Sequence, residues 1–151
     1  MSDYKRTTRA CTLDSMRPEL AAAICAHVEK YNLGAVLDEV SACVETTSVL
    51  VKKGMFGKEK TIYTGAVLTT GWLVWANSGS DVTPHAVSAG LNQITVQDYV
   101  QSSFAKLISD SGVVINGMQT DMSKAGSTFI GLEQNAAGQQ FLEALIASVQ
   151  A

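Results

Sequence analysis

The chain has 151 residues, about the length of one domain and too short for two. A hydrophobic content of 46%, a charged content of 17% and a mean hydropathy of +0.13 exclude a natively disordered chain. The net charge of −3 excludes a generally basic nucleic-acid binder. That charge is unevenly spread, because residues 52–60 alone hold four of the eleven basic side chains and one glutamate.

Residues 1–14 are polar and mixed, without a period, and read as a flexible lead-in. Charges with no apolar segment behind them do not make a secretory signal. A helix is expected over 15–32. Asp14 or Ser15 can cap it, Pro18 suits its first turn, Leu20, Ile24, Val28 and Tyr31 form one apolar stripe, and Asn32-Leu33-Gly34 ends it. From Ser41 onward, Thr and Val enrichment with frequent turn signals predicts seven antiparallel strands. They fall at Ser41–Lys53, Lys58–Thr69, Trp72–Asn77, Thr83–Ala89, Ile94–Val100, Gly112–Gln119 and Ser127–Glu133. Ser102–Ile108, between the fifth and sixth strands, has the composition of a helical turn. Asn135 caps a final helix whose apolar stripe is Phe141, Leu142, Leu145, Ile146 and Val149. The best apolar stretch, Gly65–Ala76, is about twelve residues long, whereas a membrane-spanning helix needs roughly twenty. Cys11, Cys25 and Cys43 have neither metal-binding spacing nor an even count, and read as reduced thiols of a cytoplasmic protein.

This order of elements resembles the pleckstrin-homology superfold of bacterial type. Val49–Lys60 looks like the first hairpin of that family. Ala66–Ala76, in which an apolar strand meets Leu68-Thr69, a turn and Trp72-Leu73-Val74-Trp75-Ala76, is similar to its second. Ile94-Thr95-Val96-Gln97-Asp98-Tyr99 resembles a later strand. The resemblance covers roughly residues 41–150. It implies an α+β domain, a bent, partly open antiparallel barrel of seven strands capped by the C-terminal helix, with the N-terminal helix as an addition at 15–32. The C-terminal helix carries Phe141 where eukaryotic members of the family usually carry Trp, which fits a divergent or bacterial-type member better.

The strongest local signal is the hairpin 52–60. Lys52, Lys53, Lys58 and Lys60 flank a tip containing Phe56, and Gly54 and Gly57 ease the turn. The resemblance implies that this hairpin meets an anionic surface. The competing reading is that the lysines solubilise an exposed hairpin and guard a strand edge. Near an anionic membrane each lysine contributes about 1 kcal/mol and a buried Phe about 2, which allows only a weak, reversible attachment with a Kd of roughly 0.1 mM. Gly54-Met55-Phe56-Gly57 also has the spacing of a nucleic-acid clamp, but its flanks read as strands where that clamp needs helices.

No phosphate-binding loop or nucleophile elbow occurs. Asp98 and Tyr99 are strand neighbours and point to opposite faces. His27 and His85 lie far apart with no ligand spacing. Trp72 and Trp75, three apart on a strand, also face opposite sides, one into the core and one toward the N-terminal helix or a partner. The expectation is therefore a non-enzymatic binding or scaffold module, without metal, cofactor or nucleic acid. It self-associates and recognises a protein partner or an anionic surface, so that any membrane contact is peripheral. The alternatives are a profilin-like or roadblock-like interaction scaffold, which would carry a central helix near Gln101–Ser109 on an open sheet, or a small enzyme with a deep polar pocket.

Overall fold

A computed structural model describes residues 4–50, 60–119 and 125–150 of the chain. The elements in order are β1 (Tyr4–Ala10), α1 (Pro18–Lys30), β2 (Val40–Leu50), β3 (Thr61–Thr69), β4 (Trp72–Gly79), β5 (Val82–Gly90), β6 (Thr95–Asp98), β7 (Gly112–Gln119), β8 (Ala125–Gly131) and α2 (Ala136–Gln150). Short 3-10 turns at Val36–Glu39, Tyr99–Gln101 and Ser103–Lys106 fill the links. β1 to β5 form one antiparallel sheet in chain order, and β6 to β8 form a second. No ladder joins the two sheets among the described residues.

The architecture is α+β, as expected, but two expectations need correcting. Where one bent, partly open barrel of seven strands is expected, eight described strands form two open sheets, with no closed barrel among the described residues. The chain changes sheets at Gly90-Leu91-Asn92-Gln93, a turn closed by Gln93 N donating to Gly90 O at 3.0 Å. The second correction concerns the lead-in: its residues 4–10 pair with β2 over the whole length of β1, from Tyr4↔Leu50 to Ala10↔Val44. Its inward side chains are Arg6 and Thr8 rather than aliphatic groups, so hydrophobic alternation carried no signal there.

The five-stranded sheet is covered on both faces. Val44, Ala66, Leu68, Leu73 and Trp75 face the three-stranded sheet and α2, where Val113, Ile115, Ile130, Phe141 and Leu145 complete one core. Cys43, Val67, Val74 and Ala76 face α1, which contributes Leu20 and Ile24 to a second core. Double coverage explains why Ala66–Thr69 and Leu73–Ala76 are buried without a break. Close seating of α1 depends on Gly65, where a Cβ would meet Met16 Sδ at 2.5 Å and Leu20 Cδ1 at 3.4 Å.

α1 is not capped by Asp14 or Ser15. Arg17 holds the capping position and makes no side-chain cap bond, while Ser15 is used in a local turn with Thr12. The anionic Oε1 of Glu45 on β2 accepts from Arg17 N at 2.6 Å, which ties the positive end of the helix dipole to the sheet. Asn135 does cap α2, with Oδ1 accepting from Gly138 N at 2.9 Å.

The sheets are stitched at β1. Arg6 donates from Nε and Nη2 to both carboxylate oxygens of Asp110, at 2.8 and 2.7 Å, and from Nη1 to Ser48 Oγ at 2.6 Å. Both partners of the ion pair are largely buried, at 13% and 14% side-chain exposure. Gly131 leaves the room this guanidinium occupies, since a Cβ there would collide with it. Removing one member of such a pair strands a buried charge. Arg6→Ala and Asp110→Ala are each expected to cost about 3–5 kcal/mol in urea unfolding, and the apolar double replacement Arg6→Met/Asp110→Leu much less. Single losses under about 1 kcal/mol would mean that solvent already screens the pair.

Candidate functional site

Four members of the expected basic site, Lys52, Lys53, Phe56 and Lys58, lie outside the described residues. The base of their hairpin is described. Leu50 N donates to Lys60 O at 2.8 Å, and the ladder then continues from Val49↔Thr61. Residue 50 therefore leaves and residue 60 re-enters at one end of the five-stranded sheet. β1 begins at this same end, and its exposed Lys5 lies opposite Val49. Lys60 is half-buried. Neither lysine takes part in an ion pair among the described residues.

On the α1 face near this end, Arg17 stacks over the Tyr63 ring at 3.7 Å from its centroid and pairs with Glu19 at 2.6 Å. The hydrogen bond from Arg17 holds the Glu19 carboxyl below its usual value and pushes the guanidinium correspondingly up. These residues line a hollow of about 340 Å³ together with Ser78, which lies opposite Tyr63. The hydroxyl of Ser78 is buried with no hydrogen-bond partner among the described residues. Sequence reading did not connect Lys5, Arg17 or Ser78 with the hairpin. Only strand register and the seating of α1 bring them to the same end.

The opposite end of the sheet has a different character. Asp14, Asp38 and Glu39 are exposed where β1 ends and β2 begins. A cleft of about 590 Å³ opens there between Thr70-Gly71-Trp72, Gly90–Gln93 and the last turn of α2 at Ser148 and Val149. Among the described residues no titratable side chain lines it. Trp75 is buried in the inner core, whereas Trp72 is half-buried against the α1 core and forms one wall of the cleft.

A third feature was not legible from spacing. Cys11 and Cys43 are adjacent, with Sγ to Sγ 3.5 Å, on the wall of another cleft of about 590 Å³. The hydrogen bond with Cys43 lowers the Cys11 thiol against the opposing effect of burial, and the same contact together with burial raises that of Cys43.

The remaining candidates have local partners. Asp98 accepts from Val100 N at 3.2 Å, while Tyr99 is buried and donates to Ile108 O at 2.7 Å, so the two diverge. His85 Nδ1 lies 3.1 Å from Thr83 O, and His27 Nε2 lies 2.8 Å from Ser88 Oγ. Among the described residues no three His, Cys, Asp or Glu side chains group so as to hold a metal ion, and no helix is long and apolar enough to cross a membrane. The chain matches no protein-family model, no curated protein and no solved structure.

Burial depresses His27 below its ordinary value of 6.5, and Lys30 adds to the effect. The unfolded chain therefore takes up the proton first on acidification. Stability linked to this side chain is complete above pH 6.5 and declines as pH falls from there toward the depressed folded value. Thermal unfolding followed across this window should show that decline in the wild type and a flatter profile in His27→Gln. Identical profiles would mean that His27 is solvated in the fold.

Proposed function

We propose that the chain is a non-enzymatic binding module of the pleckstrin-homology type, which attaches weakly and reversibly to anionic surfaces through the hairpin end of its five-stranded sheet. The observation that carries this reading is the polarity of the sheet's ends. Among the described residues, Lys5 and Lys60 stand without ion-pair partners beside the base of the lysine-rich segment, with Asp81 as the acid in the adjoining β4–β5 turn. Asp14, Asp38 and Glu39 lie at the far end. Such a charge distribution orients the molecule with its basic end toward an anionic surface. The element order is in keeping with the pleckstrin-homology reading. Antiparallel strands run consecutively into a terminal helix that packs against both sheets, and residues 99–106 carry short 3-10 turns where a roadblock-like scaffold would have a central helix.

Sedimentation with phosphatidylserine-containing vesicles, against phosphatidylcholine vesicles as control, tests the attachment. Wild type should partition to the anionic vesicles, less so as salt is raised. Lys5→Ala and Lys60→Ala should each lower the partition coefficient about five-fold, in line with about 1 kcal/mol per lysine. Equal partitioning of wild type and a Lys52→Glu/Lys53→Glu/Lys58→Glu variant would overturn the reading.

Self-association is the second part of the proposal, and a separate observation favours it. Phe104, Leu107 and Ile108 are exposed at 54%, 85% and 61% within five residues of one another. Tyr99 holds this segment by its hydroxyl, which donates to Ile108 O. An ordered apolar patch of this kind is the usual mark of an interaction surface. Light scattering over a range of concentrations should give a mass that rises with concentration for wild type and stays monomeric for Leu107→Asp/Ile108→Asp. A monomeric wild type throughout would remove this part.

A further inference from the structure

We propose that Cys11 and Cys43 form a reversible dithiol–disulfide site that is oxidised by hydroperoxides and that fastens the N-terminal strand and α1 to the sheet. The argument begins with position. Cys11 lies one step beyond the Ala10↔Val44 pair, and its N donates to Cys43 O at 3.0 Å, so the two residues face each other across the end of the β1–β2 ladder. Facing residues on antiparallel strands have Cα atoms about 4.5–5.5 Å apart, within the range a disulfide requires. The sulfurs point to the same side and already lie 3.5 Å apart. Side-chain rotation can close the remaining gap to the bonded distance of about 2 Å.

Access and reactivity are divided between the two residues. Both thiols lie on the wall of the cleft, but Cys11 is half-buried whereas Cys43 is buried against the α1 core. The Cys43 contact favours the Cys11 thiolate, with nearby Arg9 adding to it and burial and Glu45 opposing. The Cys11 thiolate attacks the peroxide, forming its S–O bond as the O–O bond breaks, and hydroxide leaves to be protonated to water. Cys43 then attacks the sulfenic sulfur. The S–S bond forms as the S–O bond breaks, and the second hydroxide leaves with the Cys43 proton as water. Two thiols and one hydrogen peroxide thus give one disulfide and two waters. The bridge closes a loop that contains all of α1, which restricts the unfolded chain.

The test uses a Cys25→Ser background, since Cys25 is exposed on α1 and would link molecules to one another. After stoichiometric hydrogen peroxide, alkylation and digestion, mass spectrometry should find Cys11 and Cys43 in one cross-linked species lighter by two hydrogens. Dithiothreitol should reverse it, and Tm should be higher in the oxidised form. Adding Cys43→Ser should stop the reaction at a Cys11 sulfenic acid that dimedone traps. In the reduced state the Cys43→Ser variant must unfold cooperatively; if it does not, Cys43→Ala serves in its place. Recovery of both thiols in alkylated form after a peroxide dose that oxidises Cys25 in the wild type would overturn the proposal. So would conversion of Cys11 to the sulfinic acid without the cross-link.

Discussion

The architecture depends on how β1 joins two sheets that share no ladder among the described residues. Arg6 reaches from the edge of one sheet to Asp110, just before the first residue of β7. Two residues further on, Thr8 N donates to Glu133 Oε1 at 3.0 Å, and Glu133 N donates back to Thr8 Oγ1 at 2.8 Å. Asn135 Nδ2 donates to Thr8 O and to Glu133 Oε1, both at 2.8 Å, while its Oδ1 caps α2. One polar network therefore fixes the seating of β1, the exit of the chain from β8 and the start of the helix that closes the core. Thr8 is buried, Glu133 and Asn135 are half-buried, and all three satisfy one another, so the network is specific as well as cohesive.

Glu45 has a comparable role on the other face. Its Oε1 accepts from the backbone at the start of α1, and its Oε2 meets Arg9 of β1 at 3.2 Å. β1, β2 and α1 are thereby tied through a single carboxylate that is almost wholly buried. The Cys11–Cys43 contact lies near this junction, at the point where the chain leaves β1 for α1. A covalent bond there would reinforce a connection that otherwise rests on Glu45 and on the packing of Met16 and Leu20 against Gly65.

The proposed binding role and the proposed redox site lie toward opposite ends of the five-stranded sheet. The basic hairpin base, Lys5 and Lys60 occupy one end, and the thiols, Asp14, Asp38 and Glu39 the other. β1 spans both, since it begins beside the hairpin base and ends at Cys11.

Local pattern in the chain was enough to fix the elements with strong periodicity. The stripe of Leu20, Ile24 and Val28, the Asn135 cap and the dense Val/Thr runs placed both helices and strands β2 to β8 within a few residues, because local pattern and capping chemistry decide such elements. It also singled out the basic segment 52–60, of which only Lys60 falls within the described residues. Tertiary structure alone decided the rest. β1 is a strand because its inward Arg6 and Thr8 find Asp110, Glu133 and Asn135 more than a hundred residues away. α1 starts at a non-capping residue because Glu45 supplies the acceptor from another element. The division into two sheets, the grouping of Lys5 with Lys60 and the meeting of Cys11 with Cys43 all follow from strand register. Apolar alternation and tight turns ordinarily set register, but β1 has neither the alternation nor a tight turn to β2, so its pairing shows only in the folded structure.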